Sequence, residues 1–351
     1  MPDVVQIIRQ KFRDKKIVIV GDLVADQFLH GTIDRVSREA PVFILRHEQT
    51  ETLAGGAANA AVNVAGLGGK AFLVGVVGSD ANGAALLDCL RKSGVECAPI
   101  VSSEKIQTTT KVRVLASQHY AVRQQVIRID YENQTSFEPD LHEELKRNLE
   151  EAAREADAII ISDYNYGVAS PMLAEAAKRI ASERKIPLLV DSRYRLRDFA
   201  GATSATPNQE EAEQILGRKF AETTDFAEAC SCLRENLGYE SLLVTRGNKG
   251  MLLIENGRPP LHIEAVGSKE PVDVTGAGDT VIAAYALALA CGLSFAEAAR
   301  LANHAGGIVV MKKGTASVSP DELLASLEKH NELPLNAETA DCVENGQPAK
   351  L

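Results

Sequence analysis

Short aliphatic and β-branched runs alternate along this chain with longer segments of helical period, and no other feature limits the fold as strongly. Residues 16–20 (Lys-Ile-Val-Ile-Val) end in Gly21-Asp22, and similar runs recur at 72–77, 158–161, 187–190 and 242–245. A short apolar run closed by a turn residue reads as a buried strand. Helical patterns lie between the runs, at 57–67, 83–93, 141–155, 171–184, 209–216 and 225–237. Strand alternating with helix predicts an α/β fold, a mainly parallel sheet covered on both faces. The 351 residues suffice for one large domain of this kind.

Two stretches break the rhythm. Residues 42–52 and 108–129 alternate polar and apolar side chains, the pattern of strands with one solvated face. Val112, Val114, Val126, Ile127 and Ile129 predict a hairpin, with Ser117-Gln118-His119 near its turn. We read a small β-sheet lid whose strands are inserted near 30–52 and 107–130 of a domain spanning 1–330. Such a sheet covers a pocket or pairs with a second subunit, which makes a homodimer through the lid an expectation. From Asn331 the chain is polar and aperiodic, so 331–351 is expected to be a disordered tail.

Composition excludes several roles. The net charge is −10 and no basic stripe occurs, which argues against nucleic acid as partner. Aromatics make up 5% with no Trp, which argues against a lectin that stacks sugars on rings. The cysteines at 89, 97, 230, 232, 291 and 342 lack zinc spacing and read as free thiols of a reducing compartment. The N-terminus has no signal-peptide pattern, and the longest apolar run, near 281–291, is too short for a bilayer. A cytoplasmic protein without a membrane partner is the expectation.

The chemistry concentrates in Asp273-Val274-Thr275-Gly276-Ala277-Gly278-Asp279-Thr280, ahead of a segment that is apolar almost all round. Such a segment reads as a buried helix, and the glycine turn is then its N-terminus. The first helical amides lack internal partners, and the helix dipole places partial positive charge there. Gly276, Ala277 and Gly278 add almost no bulk, so an anion can approach the backbone. A carboxylate beside an anion site would ordinarily repel a phosphate. Asp279 therefore reads as a base that takes a proton from an attacking hydroxyl during phosphoryl transfer. The alternative is an Asp that merely caps a glycine-rich turn. No Walker A lysine follows, and the turn after the first strand lacks a dinucleotide fingerprint.

Asp273 to Asp279 resembles the C-terminal signature of the ribokinase-like (PfkB) carbohydrate kinases. Ala54-Gly55-Gly56-Ala57-Ala58-Asn59-Ala60-Ala61-Val62-Asn63 is similar to their N-terminal signature, and Asn208-Gln209-Glu210-Glu211 to their Asn-x-x-Glu motif. The resemblance implies the ribokinase-like three-layer αβα sandwich, with ATP and Mg²⁺ as cofactors and a sugar or sugar phosphate as substrate. It implies that Asp22, Asp26, Gly55, Gly56 and Asn59 line the sugar site. Asn208 and Glu211 would hold Mg²⁺, largely through water, although they also fit a helix cap with its reciprocal acid. Asn208, Thr245, Gly247 and Asn303 would border the nucleotide.

Within the family the likeness is to heptose 7-phosphate kinases, carried by 21–26, 35–42, 110–114, 127–130 and Ser162-Asp163-Tyr164. It implies conversion of heptose 7-phosphate to the 1,7-bisphosphate. Arg35, Lys111, Arg113 and Arg128 would supply the cations that a phosphorylated sugar requires. Kinases for fructose phosphate, ribose or a nucleoside are alternatives, as is a catalytically silent sugar-binding protein. Two positions depart from the heptose pattern. Asn165-Tyr166 precede Gly167 where a small residue and Lys are usual, and Ser192-Arg193 follow Asp191 where Pro-Lys is usual. Bifunctional members carry a nucleotidyltransferase domain after the kinase. Residues 331–351 do not resemble one, so activation of the sugar is expected to need another protein.

Overall fold

A computed structural model describes residues 4–117, 124–132, 137–267 and 270–330 and resolves them into two sheets. The nine-stranded main sheet contains β1 (Lys16–Gly21), β4 (Lys70–Gly78), β5 (Ile100–Ser103), β8 (Ala158–Asp163), β9 (Leu188–Ser192), β10 (Ser204–Ala205), β11 (Ser241–Thr245), β12 (Met251–Glu255) and β13 (Leu261–Ile263). Their order is β13-β12-β11-β10-β9-β8-β1-β4-β5. All neighbours are parallel except β12 with β11 and β13 with β12. The five runs read as buried strands are β1, β4, β8, β9 and β11.

Both faces of this sheet are covered. Ile17 and Ile19 of β1 join one core with the helices Ala57–Gly66, Ala277–Ala290 and Phe295–Val309. Val18 and Val20 join a second core with the helices Pro139–Ala152, Pro171–Arg184 and Thr223–Leu237. Successive strand residues point to opposite faces, which is why the runs are apolar throughout instead of alternating. The result is the three-layer αβα sandwich.

The second sheet holds β2 (Leu23–Val36), β3 (Phe43–Gly56), β6 (Thr110–Ser117) and β7 (Gln124–Tyr131), in the order β3-β2-β6-β7. It contains both alternating stretches. Its first strand starts at Leu23, immediately after β1, well before the boundary near 30 that we expected. Asp26, Lys111 and Asp130 stand side by side in register, as do Phe28, Arg113 and Arg128. This face carries Asp26, Lys111, Arg113 and Arg128 to the main cavity. Ile127, Ile129 and Tyr131 alternate with them and occupy the opposite face.

Asp80 joins the lid to the body. Its Oδ1 accepts hydrogen bonds from Gly83 N at 2.7 Å, capping the Ala81–Lys92 helix, and from Thr108 Oγ1 at 2.8 Å. Its Oδ2 accepts from Thr108 N at 2.8 Å, so the start of the helix and the approach to β6 share one anchor. Gln118 and His119 of the expected hairpin turn, and the expected tail at 331–351, lie outside the described residues. No helix among the described residues is long and apolar enough to cross a membrane.

Candidate active site

The carboxyl ends of the parallel strands open into a cavity of about 340 Å³, with the lid sheet on one side. Such ends are where ligands bind in doubly wound sheets, because the strands stop there and their loops diverge.

Gly276, Ala277, Gly278 and Asp279 all line the cavity. The Ala277–Ala290 helix begins there, and Gly276 adopts φ 75° ahead of it. A Cβ on Gly276 would stand 2.4 Å from Asn59 Nδ2, so both conformation and space require glycine. On Gly278, a Cβ would meet nothing nearer than Asp191 Oδ2 at 4.0 Å, which leaves the helix end open to a ligand.

Asp279 is 3% exposed. Its Oδ2 accepts a hydrogen bond from Asn59 Nδ2 at 2.7 Å, and its Oδ1 accepts one from Tyr164 Oη at 3.0 Å. Burial pushes its pKa up to about 7, against the two hydrogen bonds and with help from the Asp26 charge. A carboxyl group poised near neutral pH, at a helix end open to an anion, can accept a proton from a hydroxyl.

Asn59 does not line the cavity. It lies behind Asp279 in a buried polar ladder, where Asn63 Nδ2 donates to Asn59 O at 2.9 Å and Thr280 Oγ1 donates to Asn63 Oδ1 at 2.8 Å. Asp22 requires a similar correction. Its carboxylate faces the backbone, accepting from Tyr164 N at 2.8 Å, Tyr166 N at 3.0 Å and Val168 N at 3.0 Å. Burial raises its pKa. With both oxygens accepting from amides, Asp22 shapes the loop after β8 and does not line the main cavity.

Asp26, Gly55, Gly56 and Lys111 do line the cavity. Asp26 is paired with Arg113. Gly56 adopts φ 60°, and a Cβ there would stand 2.5 Å from Asp22 O, so the turn into the Ala57–Gly66 helix admits only glycine. Arg35 is a further correction. It is exposed near the far end of β2, opposite Ile44, and does not reach this cavity. The strand simply runs on past the site.

Asn208, Glu211 and Thr245 close the other side of the cavity. Asn208 and Glu211 form a capping box: Glu211 N donates to Asn208 Oδ1 and Asn208 N donates to Glu211 Oε2, each at 2.9 Å. Burial raises the pKa of Glu211. The box uses one oxygen of each side chain, and Glu211 and Asp191 line the same wall, so the donors are all oxygen. That set suits a hard cation which keeps most of its waters.

Gly247 and Asn303 lie in an adjoining cavity of about 190 Å³, which shares Thr245, Val274, Ala277 and Gly278 with the first. Its other walls include Met251, Val266, Val281 and Val310, an apolar slot of the kind that takes a flat ring. Asn303 Nδ2 donates to Glu264 O at 2.7 Å.

Several further cavity residues entered the sequence reading only within motifs or as departures from them, Arg193 as a replacement for a lost lysine charge, or not at all. Asp163, Tyr164, Asp191, Arg193, Thr206 and Thr315 all line it. Among the described residues the buried hydroxyls of Thr206 and Thr315 have no hydrogen-bond partner, and so remain available to a ligand. Four of the six follow from topology, since Asp163, Tyr164, Asp191 and Arg193 stand at or just beyond the carboxyl ends of β8 and β9.

A model of the pfkB family carbohydrate kinases matches residues 14–322. Proteins named bifunctional protein HldE are 38% identical in Trichlorobacter lovleyi, over 92% of this chain and 65% of theirs, and 40% identical in a Marinomonas species, over 91% and 66%. A third, from Caulobacter vibrioides, is 38% identical over 97% of this chain and 69% of its own length. The chain thus spans about two thirds of the length of these relatives. Among solved structures, Arabidopsis thaliana ribokinase complexed with ribose and ATP superposes with a TM-score of 0.69 at 23% identity, over 90% of this chain and 99% of that one. Escherichia coli phosphofructokinase-2 in complex with potassium gives 0.72 at 19% identity over the same shares. The fold is therefore ribokinase-like. Together with the family model matched over nearly the whole described chain, this establishes that the chain belongs to the pfkB family of carbohydrate kinases, phosphotransferases that act on an alcohol group.

Proposed function

We propose that this protein transfers the γ-phosphate of ATP to a hydroxyl of a sugar phosphate, and that the substrate is a heptose 7-phosphate converted to the 1,7-bisphosphate. One observation carries this reading: Lys111, Arg113, Arg128 and Arg193 face the cavity that Asp279 faces. Burial lowers the pKa of Lys111, and the Arg128 and Arg193 charges add to the effect while Asp130 opposes it. Arg113 is paired with Asp26 and Arg128 with Asp130, so Lys111 and Arg193 are the cations we assign to an anionic ligand, which a bare sugar would not need. The HldE relatives and the heptose-kinase stretches support the same choice.

In the reaction, Asp279 takes the proton of the attacking anomeric hydroxyl. The new P–O bond forms as the bond between the γ-phosphorus and the β–γ bridging oxygen breaks, and ADP leaves with that oxygen. First-turn amides of the Ala277–Ala290 helix hold the transferring group. Asp26, Gly55 and Gly56 border the sugar, while Asn208 and Thr245 border the nucleotide phosphates, with Gly247 and Asn303 beyond them. Asn208 and Glu211 would hold Mg²⁺, which when bound neutralises phosphate charge. The lid sheet excludes water that would otherwise accept the phosphoryl group. The reaction belongs in the cytoplasm, where ATP is available, and needs no nucleic acid or membrane. A second copy of the chain, docked on the lid, is the partner we propose.

The test is ADP release by the purified protein across phosphorylated and unphosphorylated sugars. Heptose 7-phosphate should give the highest kcat/KM. A better fructose phosphate, ribose or nucleoside would overturn the substrate, and tight sugar binding without ADP release would overturn the enzyme.

A further inference from the structure

Asp279 has a neighbour whose position packing alone does not explain. Tyr164 reaches it from the loop after β8, and its Oη donates to Asp279 Oδ1 at 3.0 Å. The loop is clamped on both sides of this residue. Tyr164 N, Tyr166 N and Val168 N all donate to the buried Asp22 carboxylate. Asp163, the preceding residue, is held by Ser192 Oγ at 2.7 Å and by Arg195. Asn165, the following residue, adopts φ 64°, which turns the chain sharply just after Tyr164. The local backbone is thus built to deliver one phenol to one carboxylate.

We infer that Tyr164 is a positioning residue for Asp279, fixing the plane of its carboxylate and favouring the ionised form that accepts the substrate proton. The inference rests on the reading of Asp279 as the base. Asn59 holds Oδ2 and Tyr164 holds Oδ1, so the group cannot rotate, yet each oxygen keeps a lone pair for the incoming hydroxyl. The charges around it make such help necessary. Burial opposes its ionisation, as does Asp26 from β2, while the Asp279 charge in turn raises the pKa of Asp191 on β9. Arg193, beyond β9, is the cation that acts on both Asp191 and Tyr164. Asn59, on the Ala57–Gly66 helix, is neutral. Two donors therefore counter a dry site and one carboxylate charge. The phenol itself stays protonated, because burial and the Asp279 charge raise its pKa well above the usual value.

The experiment measures kcat and both KM values of Tyr164→Phe from acid to alkaline pH, beside wild type and Asp279→Asn. A hydrogen bond to an ionised acceptor is strong enough that its loss should lower kcat about tenfold at neutral pH and move the acid limb up by about one pH unit. Both KM values should stay near wild type. Replacement of Tyr164 by 3-fluorotyrosine, nearly the same volume and a stronger donor, should move the limb downward. That variant decides the matter if Tyr164→Phe fails to fold. An inactive Asp279→Asn with the limb unmoved in both Tyr164 variants overturns the role of Tyr164 alone. Near-normal turnover in Asp279→Asn overturns the base, and this inference with it.

Discussion

At the scale of single residues, Asp279 as the base we propose makes activity and stability run in opposite directions with pH. Its pKa rises from 3.8 to about 7 on folding. A base must be ionised to work, so kcat/KM should climb as pH rises through about 7. The folded state binds this proton more tightly than the unfolded chain does. The stabilisation is therefore complete below about pH 4 and is lost as pH rises toward 7. Asp279→Asn should cut turnover about a thousandfold or more while leaving sugar binding in place. It should also raise the melting temperature at pH 8 and raise it less at pH 5. The difference between the folded and unfolded affinities for this proton sets a ceiling of about 4 kcal/mol on that gain. The amide falls short of the ceiling, because its NH₂ must face Asn59 or Tyr164, each of which now donates to a carboxylate oxygen. Calorimetry at the two pH values checks the sign. A variant less stable than wild type at pH 8 would show that the buried charge is compensated by more than these two hydrogen bonds.

At the scale of elements, the same side chains serve the fold and the site, and their effects separate by measurement. The Asn208–Glu211 box caps the Gln209–Leu216 helix, so Asn208→Ala should cost about 1 kcal/mol in urea unfolding. A metal role would show separately, as a higher Mg²⁺ requirement for turnover. On the lid, Lys111 Nζ donates to Tyr166 Oη at 3.0 Å, and Tyr166 Oη donates to Glu132 Oε1 at 2.8 Å. Lys111→Met should raise KM for a phosphorylated sugar by about tenfold or more, with KM for ATP unchanged. Equal losses toward unphosphorylated sugars would remove Lys111 from phosphate recognition. These elements differ in how readable they were. Asp279 was legible because glycine turn, acid and buried helix sit in one unbroken string. Asp22 was not, since an acid after a strand-ending glycine looks the same whether it faces a cavity or three backbone amides. Arg35 misled for a related reason, because alternation does not tell how far a strand continues past its useful end. The start of β2 was hidden by Asp26, Gln27 and His30, polar residues that mask a strand running 14 residues. Tyr164 and Arg193 lie in loops with no periodic signal; the sequence marked them only as part of a likeness and a departure from it, and the sheet topology brings them to the cavity that Asp279 lines.

At the scale of the whole molecule, the lid has two faces of opposite character. Toward the cavity it presents Asp26, Lys111, Arg113 and Arg128. On the other side Ile127 and Ile129 are 53% and 41% exposed, with Tyr131 at 42% beside them in the same row. Phe43 and Val42, at the outer end of β3, are exposed at 54% and 55%. Scattered apolar residues on a surface need no explanation, but a row along one strand does. Among the described residues β7 is also the edge of its sheet, with backbone on one side left for another strand to pair. A second copy of the lid would cover both the row and the edge, since a two-fold interface sets the same patch against itself. Sedimentation of the wild type at micromolar concentration should therefore give a dimer. Ile127→Lys combined with Ile129→Lys should weaken it about a hundredfold by placing like charges across the axis. The cation-bearing face of the strand is untouched by these changes. If the dimer steadies the lid, the double variant should gain a higher KM for sugar and keep its KM for ATP, because in the proposed arrangement these strands roof only the sugar side. A wild type that sediments as a monomer would return the apolar row to the ordinary surface and leave the lid a one-chain device.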